Sequence, residues 1–405
     1  MTEKSTVSMR FVAMVALLFS LVAMSIDSML PALGQIAADL NAYSPNSRQH
    51  VLTAFFAGLT AGQLIYGPIS DITGRKPAIV AGIILFVVGG LMCSFATTYE
   101  TMIIGRVIQG FGAAGPRIVS AAMVRDLYEG RAMARVMSFV MAIFILVPIL
   151  APSIGQVILF FGDWRLIFLA LVATAILSLI WISFGQRETL SQERRSPFSA
   201  GPIFQSAYEC IRNPVTMGYA LGTGFIFGAF ICYLGTAQQI FQEQYNLGRL
   251  FPVFFGVLAA SIGIASIVNA RLVMRFGMRK LSKLALRGAC ILSATFLVVV
   301  IILGGHPPFW MFMVYMFVNF FFCGLLFGNY NALAMEPMGR IAGVASAIIG
   351  SLTSLVALVC GTIIGQLYNA TLIPLVAGFA ALAICALFVT EWAERNRRSA
   401  AHPTA

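Results

Sequence analysis

Apolar residues along this chain come in long runs of about 20, each closed by a charged cluster or by Pro and Gly, and not in the short alternation of a strand. At 1.5 Å of rise per residue such a run spans the roughly 30 Å of a bilayer's hydrocarbon core. The pattern predicts an all-α membrane protein with twelve transmembrane helices. The first six cover 10–31, 49–69, 77–97, 101–123, 134–160 and 164–185. The second six cover 214–236, 250–270, 282–303, 308–333, 341–366 and 370–391. The seventh and eighth are the least regular, because Gln238 and Gln239 interrupt the apolar pattern between them.

The polar residues between the runs then set orientation and organisation. If the N-terminus is cytoplasmic, 21 of the 26 Lys and Arg residues fall on that side. Only Arg48, Arg165 and Arg249 fall on the other, and Arg106 and Arg117 lie inside the fourth span. So strong a bias predicts both termini in the cytoplasm. The longest polar stretch, 186–213, contains Arg187, Glu188, Glu193, Arg194 and Arg195. It reads as a cytoplasmic linker between a six-helix bundle at 1–185 and another at 214–391, with a cytoplasmic tail at 392–405. A degenerate repeat supports two pseudo-symmetric halves. Gly74-Arg75-Lys76 follows the second span, and Gly277-Met278-Arg279-Lys280 follows the eighth, with Met274 where the first copy has Asp71. Two related halves joined by a linker suit a rocking transporter.

Composition excludes the main competitors. Of 405 residues, 59% are hydrophobic and 10% charged, with a mean hydropathy of +0.90, so a soluble fold could not hide the apolar surface. The net charge of +11 sits in short clusters and not on one face, which argues for membrane topology and against nucleic acid. The seven cysteines lie mostly inside apolar runs with no CxxC pair, and His50, His306 and His402 are far apart. Neither a disulfide framework nor a metal site is expected. Arg10 followed by Phe11–Ile26 has the look of a signal peptide, but the run is long and lacks a small-x-small cleavage site, so it reads as a retained span.

Residues 67–77 read Gly-Pro-Ile-Ser-Asp-Ile-Thr-Gly-Arg-Lys-Pro. This resembles the signature loop of the major facilitator superfamily, G-x-x-x-D-x-x-G-R-K, with Gly67, Asp71, Gly74, Arg75 and Lys76 at the matching positions. The glycines permit a tight turn at the membrane face, and the resemblance implies a conformational latch carried by Asp71. The alternative is an ordinary turn whose charges only set topology. In the fourth span Arg106-Val107-Ile108-Gln109-Gly110-Phe111-Gly112 is similar to the family's R-x-x-Q-G-x-G stretch. Gly110–Gly115 also satisfies the dinucleotide pattern G-x-G-x-x-G, but without a preceding strand that match is accidental, and close helix packing explains the glycines. The fifth span carries Pro148, Pro152 and Gly155, a variant of the antiporter motif G-x-x-x-G-P-x-x-G-G. It departs from that motif at Val147, Ala151 and Gln156, so a kink for packing alone is the competing reading. Asp27-Ser28-Met29-Leu30-Pro31-Ala32-Leu33, Arg125-Asp126-Leu127-Tyr128 and Met335-Glu336-Pro337 narrow the resemblance to the bicyclomycin/chloramphenicol-resistance branch of drug:proton antiporters. Met29 stands where that branch usually has an aromatic residue.

Asp27 is the only carboxylate well inside a predicted span; Asp126, Glu336 and Glu391 sit at predicted helix ends. Desolvation disfavours the charged form of an acid, so a lone carboxyl group in a span suits a proton carrier, with Arg106 and Arg117 as tuning groups. The competing reading pairs Asp27 structurally with one of those arginines, or places it near enough to the periplasm to be hydrated. Tyr233, Gln238, Tyr315, Asn319 and Asn331 are candidates for lining a cavity, although buried amides also hold helices together. The expectation is a major facilitator fold in the lipid bilayer of the bacterial inner membrane, binding no nucleic acid, holding no metal or cofactor and working as a monomer. It would exchange protons for small drug-like compounds, mostly apolar or cationic, and draw on the proton gradient. The alternatives are a symporter or facilitator importing a nutrient, a membrane-embedded enzyme, or a receptor that kept the fold.

Overall fold

The computed structural model describes residues 8–195 and 200–401. Two compact units divide the chain, one running to Phe198 and the other from Ser199 onward. Among the described residues there are helices and turns but no strands. Twelve helical segments are long and apolar enough to cross a membrane, six in each unit.

In the first unit, α1 (Met9–Asp27) stops at Asp27 and resumes, after a short 3₁₀ turn over Leu30–Ala32, as α2 (Leu33–Asp39). Pro31 lies in the first positions of that turn, and having no N–H it cannot continue the ladder of α1. The two helices form one span, Met9–Asp39, where the sequence pattern predicts a single helix over 10–31. The remaining spans are α3 (His50–Thr73), α4 (Arg75–Ser94), α5 (Tyr99–Leu127), α6 (Gly130–Ile158) and α7 (Arg165–Gly185). Polar caps set their starts: the Ser8 hydroxyl accepts from Phe11 N at 3.4 Å, and Thr98 accepts from Thr101 N at 3.2 Å. Helix α6 continues through both Pro148 and Pro152.

Helix α5 is the hub of this unit, and its small residues make that possible. A Cβ added at Gly110 would overlap the Phe55 carbonyl of α3, and one at Gly112 the Phe86 backbone of α4. Gly58 of α3 meets the Val107 carbonyl in the same way. Hydrocarbon gives helices no hydrophobic reason to associate, so close backbone approach and the dispersion it brings supply the attraction.

The second unit opens with α8 (Ala200–Arg212), followed by α9 (Pro214–Gln238), α10 (Phe251–Phe276), α11 (Met278–Ile302), α12 (Phe309–Met335), α13 (Ala342–Gln366) and α14 (Ile373–Ala401). Asn213 caps α9, accepting from Val215 N at 3.0 Å and Thr216 N at 3.1 Å, with Pro214 in the first turn. The glutamines that break the apolar pattern do not end the span. Helix α9 passes through Gln238 into a wider π-helical turn over Gln239–Gln244. Residues 186–213, expected as one linker, are divided. Gln186–Arg195 hydrogen-bonds within the first unit, whereas α8 is a helix of the second.

The close packing around α5 yields a prediction. Gly110→Val is expected to destabilise the protein by roughly 1–3 kcal/mol through overpacking. It should lower both membrane yield and the melting temperature in detergent, whereas Gly328→Ala, with open space at its Cβ, should leave both unchanged.

Candidate functional site

Arg106 lies wholly buried in α5, with all of its reach satisfied inside the first unit. Its Nε donates to the Val51 carbonyl of α3 at 2.9 Å, Nη1 to Gln109 Oε1 at 2.7 Å, and Nη2 to the Ser25 carbonyl of α1 at 3.1 Å. The guanidinium also lies over the rings of Phe55, 4.4 Å from its centroid, and Phe168, at 5.7 Å. One side chain thereby binds α1, α3, α5 and α7. Gln109 has a matching role as its acceptor, and Gly110 and Gly112 supply the close approaches described above.

Two residues beyond the Ser25 carbonyl, Asp27 ends α1 with 4% of its surface exposed. Its carboxyl group has no hydrogen-bond donor and no ion-pair partner among the described residues. The pairing with Arg106 or Arg117 that the sequence left open is not made, because Arg106 spends its donors on carbonyl and amide oxygens. Gly155 of α6 faces this break in α1. A Cβ there would overlap the Ser28 carbonyl, next to Asp27. The structure therefore brings the glycine of the antiporter-like stretch and the lone acid to one point; Pro152 and Pro148 lie about one and two turns before it on the same helix.

The 67–77 stretch forms a second, polar cluster. Gly67 and Asp71 are not in a turn, as the glycine pattern implied, but inside the last turns of α3, and a Cβ on Gly67 would meet nothing within 4 Å. Only Gly74 turns the chain, at φ +106°, a conformation other residues avoid. Arg75, starting α4, pairs with Asp71 four residues before it and with Asp126 Oδ2 of α5 at 2.9 Å, and donates to Ser70 Oγ at 2.8 Å. Lys76 Nζ donates to the Gln186 carbonyl at 3.0 Å.

Glu188 completes this cluster, although sequence reasoning read it only as a linker charge. Its carboxylate accepts from Arg75 N and Lys76 N, both at 3.0 Å, and from Thr189 N at 2.8 Å and Leu190 N at 2.9 Å. An acid thus sits on the free N–H groups that open α4, where the helix dipole favours negative charge. Burial works against its charge, but these four backbone donors outweigh burial and hold the carboxyl below its ordinary value. No spacing in the sequence announces this contact, because it joins residues more than 110 positions apart.

The second unit repeats the arrangement around Arg279. This side chain pairs with Glu336, just past the end of α12, and with Glu394 Oε1 of α14 at 3.0 Å. Tyr219 of α9 also donates to Glu394, at 2.7 Å. Gly277, at φ +74°, turns the chain before α11 as Gly74 does before α4.

The cavity candidates fare differently. Tyr315 and Asn319 both donate to Ser293 Oγ, at 3.2 and 2.8 Å, which ties α12 to α11. Tyr233 is buried among rings, 4.9 Å from Phe320 and 5.8 Å from Phe255. Gln238 donates to Gln242 at 3.0 Å, and Asn331 is exposed on α12. A reciprocal amide pair that the pattern did not reveal, Asn269 with Asn329, joins α10 to α12 at 2.8 Å.

Residues 15–361 match the profile of the Major Facilitator Superfamily. The chain is 33% identical over 359 residues to the uncharacterized MFS-type transporter YdgK of Bacillus subtilis (strain 168), covering 87% of each. It is 29% identical over 369 residues to the bicyclomycin resistance protein homolog of Haemophilus influenzae, covering 90% of this chain and 91% of that one. Among solved structures, the crystal structure of a D-xylose–proton symporter superposes with a TM-score of 0.71 at 15% identity, covering 94% of this chain and 96% of that one.

The cluster at Glu188 makes a pH-dependent prediction. A carboxyl held below its ordinary value stabilises the fold above that ordinary value and loses the contribution as pH falls through its folded value. Glu188→Gln should lower the melting temperature in detergent at pH 7. The gap from wild type should narrow as the pH is taken below 4, which thermal unfolding at a series of pH values checks.

Proposed function

The chain belongs to the major facilitator superfamily, and we propose that it is a proton-coupled exporter that exchanges protons for small drug-like compounds by alternating access. The observation that carries this reading is Asp27. It is a carboxyl group buried in the first span with neither donor nor counter-ion among the described residues. Ionisable groups within spans are functional by default, because leaving them unpaired in hydrocarbon is costly.

Asp27 ends a helix, at a break, so its surroundings can change without dismantling the span. Arg106 acts as a positioning residue: by holding the Ser25 carbonyl it fixes the segment that carries the acid. Gly155 lets α6 pack against the Ser28 carbonyl, next to that acid. In the proposed cycle Asp27 gives up its proton towards the cytoplasm as cargo binds. After reorientation a proton from the other side returns to it and the cargo leaves. No cofactor is needed, since the membrane potential supplies about 2.3 kcal/mol per charge for every 100 mV.

The Asp71–Arg75–Asp126 cluster is the proposed latch, since its ion pairs lie in one place and can break together. Resistance to bicyclomycin, named for a relative, supports an antibiotic-sized cargo. The charge bias between spans supports an inner-membrane protein with both termini in the cytoplasm.

Asp27→Asn should abolish efflux driven by an imposed pH gradient in proteoliposomes while leaving the amount of inserted protein unchanged. Undiminished efflux in that variant removes Asp27 from the coupling step.

A further inference from the structure

A second charged side chain lies inside the first unit's spans without being consumed by the fold. Arg117 is on α5 eleven residues after Arg106, which places it about three turns on and within about 20° of the same helix face. The two arginines nevertheless have opposite fates. Arg106 is fully buried and satisfied by three oxygens and two rings. Arg117 is half-buried and has no hydrogen bond, ion pair or ring contact among the described residues.

Its depth rules out the usual escape. Helix α5 ends at Leu127, ten residues or about 15 Å further on. The contact of Tyr128 OH with Ser8 N, at 3.4 Å, puts that end level with the start of α1. Arg117 therefore sits near the middle of the bilayer, too deep for its side chain to snorkel to headgroups. A guanidinium stays charged under all conditions the protein meets, so it must face water or a partner of opposite sign. The span-embedded acid of this unit, Asp27, is not that partner. It lies near the level of Arg106, about three turns away along α5.

We propose that Arg117 is the counter-charge for the cargo, and that the compounds carried include small organic carboxylates. This rests on the efflux reading above and names the chemical class it acts on. The planar guanidinium presents paired N–H donors that match the two oxygens of a carboxylate, a fit that a lysine ammonium reproduces only as a point charge. The charge balance favours the same class. Away from the ends of its spans the first unit carries Arg106, Arg117 and Asp27, so its interior is positive even with Asp27 ionised. A cation would meet Arg117 with repulsion.

The test uses the purified full-length protein in proteoliposomes with an imposed pH gradient. Fluorescein serves as the organic carboxylate and chloramphenicol as the neutral compound. Wild type should carry fluorescein, and Arg117→Gln should lower the ratio of fluorescein to chloramphenicol rates by about tenfold. Arg117→Lys should give a ratio between those of wild type and Arg117→Gln, because the charge remains but the paired N–H donors are lost. An unchanged ratio in Arg117→Gln overturns the proposal, as does a wild type that moves chloramphenicol but not fluorescein. Fluorescence polarisation of fluorescein with the detergent-purified protein separates failure of the site from failure of the efflux reading. Binding weakened about tenfold by Arg117→Gln, with no gradient-driven flux in wild type, sinks efflux but keeps the anion site. Equal binding by the two proteins sinks the anion site.

Discussion

Everything in the first unit turns on the cost of placing a charge where there is no water. Arg106 meets that cost inside the protein, and in doing so it becomes structural. Each of its donors ends on an oxygen from a different stretch of chain, and its faces lie against Phe55 and Phe168. Removing the guanidinium would leave the Val51 and Ser25 carbonyls and Gln109 without their donor. The small residues of α5 follow from the same demand. The guanidinium can reach the Val51 carbonyl of α3 only if that helix lies close to α5, and Gly58 and Gly110 allow it.

Against that satisfied arginine, Asp27 and Arg117 stand out. Each is ionisable, each lies in a span, and neither is paired among the described residues. A fold that solves the problem so completely at Arg106 leaves these two groups unsatisfied among the described residues, as the proposed exchange requires. Their settings differ: Asp27 lies at a helix break beside Gly155, and Arg117 lies in unbroken helix.

The polar clusters show a second economy of design. In each unit a glycine of positive φ turns the chain before the third span, an arginine follows it, and an acid at the end of the fourth span receives that arginine. The last span of each unit is followed or ended by a further acid, Glu188 or Glu394, that joins the same cluster. The repeat is therefore more faithful in its contacts than in its letters. Asp71 has only Met274 as its counterpart, yet Arg279 has gained Glu394 as a side-chain partner where Arg75 offers Glu188 its backbone N–H.

The number and order of the spans, the two halves and the superfamily motifs were legible in the amino-acid sequence, because hydrophobic run length and residue spacing are local properties that a bilayer reads directly. So was the singular position of Asp27, since a lone acid in an apolar run is visible without any structure. Tertiary structure alone decided which charges are satisfied. It gave Arg106 its carbonyls, left Asp27 and Arg117 without a partner among the described residues, drew Glu188 onto the start of α4 and turned Tyr315 and Asn319 towards Ser293. It also broke the first span at Asp27 and carried the seventh past its glutamines. These outcomes depend on pairs of groups distant in the chain and close in space, and the periodicity of a single helix contains no record of what lies across from it.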